Sequence, residues 1–136
     1  MARRVLVADD DQQIRELLKA FLTMRPGIIV LEACDAIEAL EFMVHERIDL
    51  LITDLNMPDM HGLELLSFVR SNDSTRNVTV MMFTTERDRL SRRKAKALGV
   101  NVFVTKPFDP MAFDKVLGEL LSECGAPMDC PAGLDR

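Results

Sequence analysis

Five apolar runs in this chain each lead into a residue that can handle a phosphate or a metal ion. Val5-Leu6-Val7-Ala8 meets Asp9-Asp10, and Leu50-Leu51-Ile52-Thr53 meets Asp54. Val80-Met81-Met82-Phe83 meets Thr84-Thr85, and Val102-Phe103-Val104 meets Thr105-Lys106-Pro107. The remaining run, Ile28 to Leu31, ends at Glu32 and contributes least. Segments of helical periodicity separate the runs, and alternating strand and helix implies a parallel sheet. Ligands of such sheets bind beyond the carboxyl ends of the strands, so residues spread over a hundred positions face one crevice.

The runs are almost continuously apolar, without alternation, as burial on both faces requires. Five right-handed βα units then predict an α/β fold, a doubly wound five-stranded parallel sheet of flavodoxin-like order 2-1-3-4-5. The first helix reads from about Asp11 to Met24, with Ile14, Leu17, Leu18, Phe21 and Leu22 on one stripe. Asp35 is the expected N-cap of the second helix, and Pro26-Gly27 the turn before the second strand. The third strand reads Asp49 to Thr53, and Leu63, Leu66 and Val69 belong to the third helix. The fourth, roughly Asp88 to Leu98, is thinly apolar and crowded with Arg87, Arg89, Arg92, Arg93, Lys94 and Lys96, with Gly99 as its stop. The fifth carries Phe113, Val116, Leu117, Leu120 and Leu121 on one face. Residues 1–123 form one expected domain, and the Gly-Pro-rich residues 124–136 an expected flexible tail.

Composition narrows the function classes. The chain is 48% hydrophobic and 29% charged, ordinary for a soluble domain, and its net charge of −5 argues against general nucleic-acid binding. No run has the length of a membrane span and no secretory leader opens the chain, so a cytoplasmic location is expected. Cys34, Cys124 and Cys130 have no metal-binding spacing and suggest no disulfide framework.

Order 2-1-3-4-5 puts Asp9, Asp10 and Asp54 together at the crevice. Converging carboxylates repel unless a cation lies among them, and Mg²⁺ suits a site with one or two direct carboxylates, waters and phosphate. Lys106 cannot ligate a metal while protonated, so metal and ammonium together are suited to an anion that both can touch. Phosphoryl transfer uses that arrangement, and the Thr84 hydroxyl can hydrogen-bond a phosphoryl oxygen. Singly, Asp10 and Asp11 read as helix caps, Asp54 as a loop cap and Lys106 as a surface lysine. Their coincidence at the ends of strands 1, 3, 4 and 5 favours the shared site.

The segments VLVADDD, DLLITDLNMPDMHGLELL, VMMFTT and VTKPF resemble the receiver domain of response regulators, nearest the stand-alone chemotaxis type, over Val5 to about Glu123. The pattern D-x-x-M-P-x-x-x-G after the third strand is its most specific element. The resemblance implies that Asp54 accepts a phosphoryl group from a histidine kinase or phosphotransfer protein, that Asp10 ligates Mg²⁺ directly and Asp9 largely through water, and that the Asn56 backbone carbonyl completes the shell. It implies that Lys106 pairs with the phosphoryl group, before a cis bond to Pro107, and that Thr84 and Phe103 form the switch. Phe103 lacks a hydroxyl, so its inward state needs no polar partner; the plainer reading is a strand residue packed on the fourth helix. Asn56, Thr85 and Glu86 occupy positions that tune phosphoryl lifetime. Asn56 and Glu86 match the fast chemotaxis type while the β-branched Thr85 narrows the approach to Asp54, so an intermediate lifetime is expected.

The basic fourth helix is either a solvated face or, with strand 5 and helix 5, an output surface for a partner of opposite charge. On the second reading, reversing Arg92 and Arg93 weakens partner binding and spares phosphorylation. His61 and His45 read as surface residues. The expected activity is a phosphorylatable switch rather than an enzyme, a monomer or a phosphorylation-dependent dimer. The alternatives are a phosphorelay intermediate or a receiver fragment of a larger regulator. A haloacid-dehalogenase-type phosphatase would need an acid where Asn56 stands, and a flavin carrier has no Trp or Tyr here to sandwich its ring.

Overall fold

The computed structural model describes residues 3–85, 89–106 and 109–122. Ten elements alternate along the chain: β1 (Arg3–Ala8), α1 (Gln12–Thr23), β2 (Ile28–Ala33), α2 (Ala36–His45), β3 (Leu50–Thr53), α3 (Gly62–Ser71), β4 (Thr79–Thr84), α4 (Arg89–Ala97), β5 (Val102–Thr105) and α5 (Pro110–Ser122). All strands are parallel, in the order β2-β1-β3-β4-β5, as the alternation of apolar runs and helices predicts. β3 and β4 are buried throughout, whereas the edge strand β2 is mostly half-exposed. β2 extends to Ala33, beyond Glu32, because pairing with β1 continues to Ala8.

The sheet divides the interior into two cores. Leu6, Leu51, Val80, Met82 and Phe103 point toward α2, α3 and α4, whose Ala36, Ala39, Met43, Leu65, Leu66, Val69 and Ala95 cover them. Val5, Val7, Leu50, Ile52, Met81, Phe83, Val102 and Val104 point toward α1 and α5, against Leu18, Leu22, Phe113, Val116 and Leu120. The residue-by-residue alternation of faces is the two-residue period of a strand. Among the described residues, no helix is long and apolar enough to cross a membrane.

Local chemistry sets the helix starts. The Asp11 carboxylate accepts the Gln13 amide at 2.9 Å and the Asp35 carboxylate accepts the Glu38 amide at 2.8 Å, each satisfying a donor that the helix leaves unpaired. His61, expected as a plain surface residue, is instead the N-cap of α3: its Nδ1 accepts the Leu63 amide at 3.2 Å. Nothing in the spacing distinguishes a capping imidazole from an exposed one. Gly99, at φ +92°, ends α4 in the left-handed region, as its position predicts. Arg70 ties α3 to the far end of the sheet by donating to the carbonyls of Arg76, Val78 and Gly99 and to the Asn101 side chain. Glu86, Asp88, Pro107 with its expected cis bond, Cys124, Cys130 and the rest of the 124–136 tail lie outside the described residues.

Candidate functional site

The site is built from strand ends. Asp9 follows β1, and its amide donates to the Ala33 carbonyl at 3.1 Å, so sheet pairing continues through it and leaves it 2% exposed. Its Oδ1 accepts the Asp11 amide at 2.9 Å, while Arg15 of α1 donates to its carbonyl at 2.6 Å. Asp54 follows β3: its amide donates to the Ala8 carbonyl at 3.0 Å and its Oδ1 accepts the Leu55 amide at 2.7 Å. Lys106 follows β5, with its amide donating to the Thr84 carbonyl at 2.7 Å. Each functional side chain therefore hangs from a backbone that the sheet has already positioned.

Carboxylate oxygens of Asp9, Asp10 and Asp54 all lie within 4.8 Å of one another. Asp9 is buried, Asp54 half-buried and Asp10 exposed, so the cluster opens toward solvent on the Asp10 side. The Lys106 Nζ stands 3.3 Å from Asp9 Oδ2 and 4.0 Å from Asp54 Oδ2, above the Phe83 ring at 5.1 Å from its centroid. Burial pushes the Asp9 carboxyl above the usual carboxylate range; the Asp11 amide and the Lys106 charge pull the other way, and the Asp54 charge adds to the rise.

The donor set fits a hard divalent ion. Three carboxylates against one ammonium leave two formal negative charges. Ligands on an octahedral Mg²⁺ stand roughly 2.1 Å from the ion, hence roughly 3–4 Å apart; oxygens within 4.8 Å of one another need only a small side-chain adjustment to reach that spacing.

The β3–α3 loop supports this site in ways the sequence did not reveal. Asn56, exposed, pairs with His61 in an antiparallel bridge that closes the loop on itself. The Gly62 amide donates to the Leu55 carbonyl at 2.6 Å, and a Cβ at position 62 would meet the Asp54 carbonyl oxygen at 2.6 Å and the Leu55 Cα at 2.8 Å. Only glycine lets α3 approach the backbone after Asp54 so closely. Asp59 reaches from that loop to the start of α2, accepting the amides of Ala36 at 3.1 Å and Ile37 at 2.9 Å. Burial alone would raise its carboxyl, but these amides outweigh it and hold it below the usual range.

The other expected residues fall as follows. Thr84 is fully buried at the end of β4, in register with Thr105, and Thr85 is exposed at the rim. Phe103 is inside, 2% exposed, packed toward α4. Arg89, Arg93, Lys94 and Lys96 are exposed on α4. Arg92, which the sequence groups with those solvated charges, turns inward: its guanidinium lies 5.4 Å from the Phe103 ring centroid and donates to Thr105 Oγ1 at 3.1 Å. Reversing its charge would therefore disturb the interior as well as the surface, and the surface test belongs to Arg93.

Known proteins are similar to this chain in sequence and in fold. A chemotaxis protein CheY homolog of Campylobacter jejuni is 36% identical over 119 residues, 87% of this chain and 92% of that protein. The regulatory protein VanRc of Enterococcus gallinarum is 32% identical over 82% of this chain but only 46% of its own length. The structure of the chemotaxis response regulator CheY4 of Vibrio cholerae superposes with a TM-score of 0.80 at 33% identity, covering 89% of this chain and all of that one. Residues 5–117 match the response regulator receiver domain family, and the chain belongs to it.

Proposed function

We propose that this domain is a Mg²⁺-dependent phosphoryl switch in a two-component system, phosphorylated on Asp54. Receiver domains are signalling switches rather than enzymes acting on external substrates. One observation carries the assignment to Asp54: its Oδ2 stands 4.0 Å from the Lys106 ammonium and its carboxylate shares a 4.8 Å cluster with Asp9 and Asp10. Asp54 attacks the phosphorus of a phosphohistidine on the partner; the phosphorus–nitrogen bond breaks, an acyl phosphate forms and the imidazole regains a proton from solvent.

Asp10 and Asp54, the Asn56 carbonyl and, through water, Asp9 would hold the ion. A hard divalent ion held there would supply positive charge to offset the negative charge of the transferring phosphoryl group. Lys106 pairs with the phosphoryl group, its ammonium already directed toward Asp54 and Asp9. Thr84 offers a hydroxyl to a phosphoryl oxygen from the end of β4. Thr85 and Glu86 stand after it as the tuning residues, and an intermediate phosphoryl lifetime follows from their combination with Asn56. The donor is a histidine kinase or phosphotransfer protein in the cytoplasm, and the output surface is α4, β5 and α5. The exposed Arg89, Arg93, Lys94 and Lys96 on that surface favour a partner segment of negative charge.

Acetyl phosphate with Mg²⁺ tests the reading. One base-labile phosphoryl adduct per chain is expected, mapped to Asp54 and absent from Asp54→Asn, without sustained turnover. Labelling of Asp54→Asn at the wild-type rate, or multiple turnover, would overturn it. The match to less than half of VanRc supports a second reading, a receiver joined to an effector, which the length of the natural reading frame decides.

A further inference from the structure

α4 breaks the rule for an amphipathic helix at one position. Ala95 is its buried residue, and Arg92, three positions earlier, shares that face, where an apolar side chain is the norm. The arginine is accommodated because β5 offers it two partners on the same side of the strand. Phe103 and Thr105 are two residues apart, so both side chains point toward α4 while Val102 and Val104 point away. The Arg92 guanidinium lies over the Phe103 ring at 5.4 Å, and one of its nitrogens donates to Thr105 Oγ1 at 3.1 Å. The branched guanidinium serves both groups at once, its charge over the ring and one N–H on the hydroxyl; a compact ammonium does not reach both.

These contacts end close to the chemistry. Thr105 is in register with Thr84, and the next residue, Lys106, donates its amide to the Thr84 carbonyl at 2.7 Å. We propose that Arg92 is a positioning residue that holds the Phe103 ring inward whether or not Asp54 is phosphorylated, so that the ring is not the moving part in this chain. Its bearing on signalling rests on the receiver reading above; its effect on the ring does not. Two features of the site make the hold effective: the ring has no hydroxyl to draw it toward water, and beneath the guanidinium it is only 2% exposed. A cation over an aromatic face shifts such a local equilibrium by roughly two- to thirtyfold, depending on how far it is desolvated.

Fluorine NMR reads the ring directly. The protein is produced with 4-fluorophenylalanine, and the Phe103 line is identified as the one missing from Phe103→Leu. In the wild type that line keeps its shift, and a small H₂O/D₂O isotope effect, with and without Mg²⁺ and beryllium fluoride as phosphoryl mimic. In Arg92→Ala, shown by thermal melting to be folded, the metal-free line broadens or moves and gains a solvent isotope effect, for an outward population raised about tenfold. Arg92→Lys falls between the two. An Arg92→Ala line matching the wild type, or a wild-type line that moves on adding the mimic, overturns the proposal. Mass spectrometry of the acetyl phosphate adduct is run in parallel. Failure at Asp54 removes the receiver reading but leaves the metal-free comparison of Arg92 variants decisive for the ring.

Discussion

The two faces of the sheet are packed from different materials. On the α1–α5 side, Phe83 and Phe113 meet edge to face at 5.4 Å between centroids, and Phe21 and Phe113 at 5.6 Å, amid Leu, Val and Ile with Met81. Such aromatic pairs contribute about 0.5–1.5 kcal/mol each beyond the area they bury, and they lock a single geometry. On the α2–α4 side the buried residues include Ala8, Ala33, Ala36, Ala39, Ala95, Met43, Met57 and Met82, with Phe103 under a guanidinium. Alanine leaves short helix-to-sheet distances, and methionine fills irregular gaps by changing rotamer at little cost. One face thus serves as a fixed backing for the strand ends, and the other can accept small rearrangements.

Removing one phenylalanine from each face tests this contrast most severely. Phe113→Ala should lose stability near the upper end of about 3–5 kcal/mol, because its edge-to-face neighbours cannot close the cavity. Phe103→Ala should lie near the lower end, since methionines can relax into the space. Guanidinium unfolding of both variants decides, and equal losses break the comparison.

Gly62→Ala marks where the tolerance of the second face stops. Its new Cβ would press on backbone at 2.6 and 2.8 Å, which no side-chain rotation relieves. We expect a loss of about 1–3 kcal/mol together with slower adduct formation at Asp54, measured by urea unfolding and by mass spectrometry with acetyl phosphate.

A third test lies at the junction of the faces. Burial raises the Asp9 carboxyl, so the folded chain holds its proton to higher pH than the unfolded chain does. Stability without metal should therefore fall as pH climbs from the ordinary carboxylate range through the raised value. Asp9→Asn should gain metal-free stability at neutral pH, show no gain in strong acid, and lose its advantage when Mg²⁺ is added. Melting curves across pH, with chelator and with Mg²⁺, check the sign; a variant less stable than wild type in chelator at neutral pH contradicts it.

The smallest effect belongs to the surface. Arg93→Glu with Lys94→Glu should change stability by no more than about 0.5 kcal/mol and leave adduct formation intact, because both side chains are exposed. Arg92→Ala, by contrast, should register in the interior, so a matched pair of melting curves separates the surface charge from the internal contact.

Much of this molecule was legible in its residues. Apolar runs without alternation announce strands covered on both faces, and a strand–helix alternation admits few parallel topologies. Acids at Asp9, Asp10 and Asp54 and the lysine at 106 were therefore assignable to one crevice. Cap residues such as Asp11 and Asp35 were readable too, since their role is local. Other roles were hidden because they depend on partners distant in the chain. Asp59 is one loop acid among several until α2 presents its amides, and Gly62, the last residue of the D-x-x-M-P-x-x-x-G pattern, shows its physical reason only when the Asp54 carbonyl lies against it. Arg92 looks like one more charge on a basic helix.

By itself, then, the chain determined its strand order and which chemical groups stand at the strand ends, because hydrophobic burial and parallel pairing obey short periods. Only the tertiary structure decided the 3.3 and 4.0 Å approaches of Lys106 to Asp9 and Asp54 and the inward turn of Arg92. Those depend on how far each side chain can reach once the sheet has twisted and the helices have settled, and no period along the sequence encodes such distances.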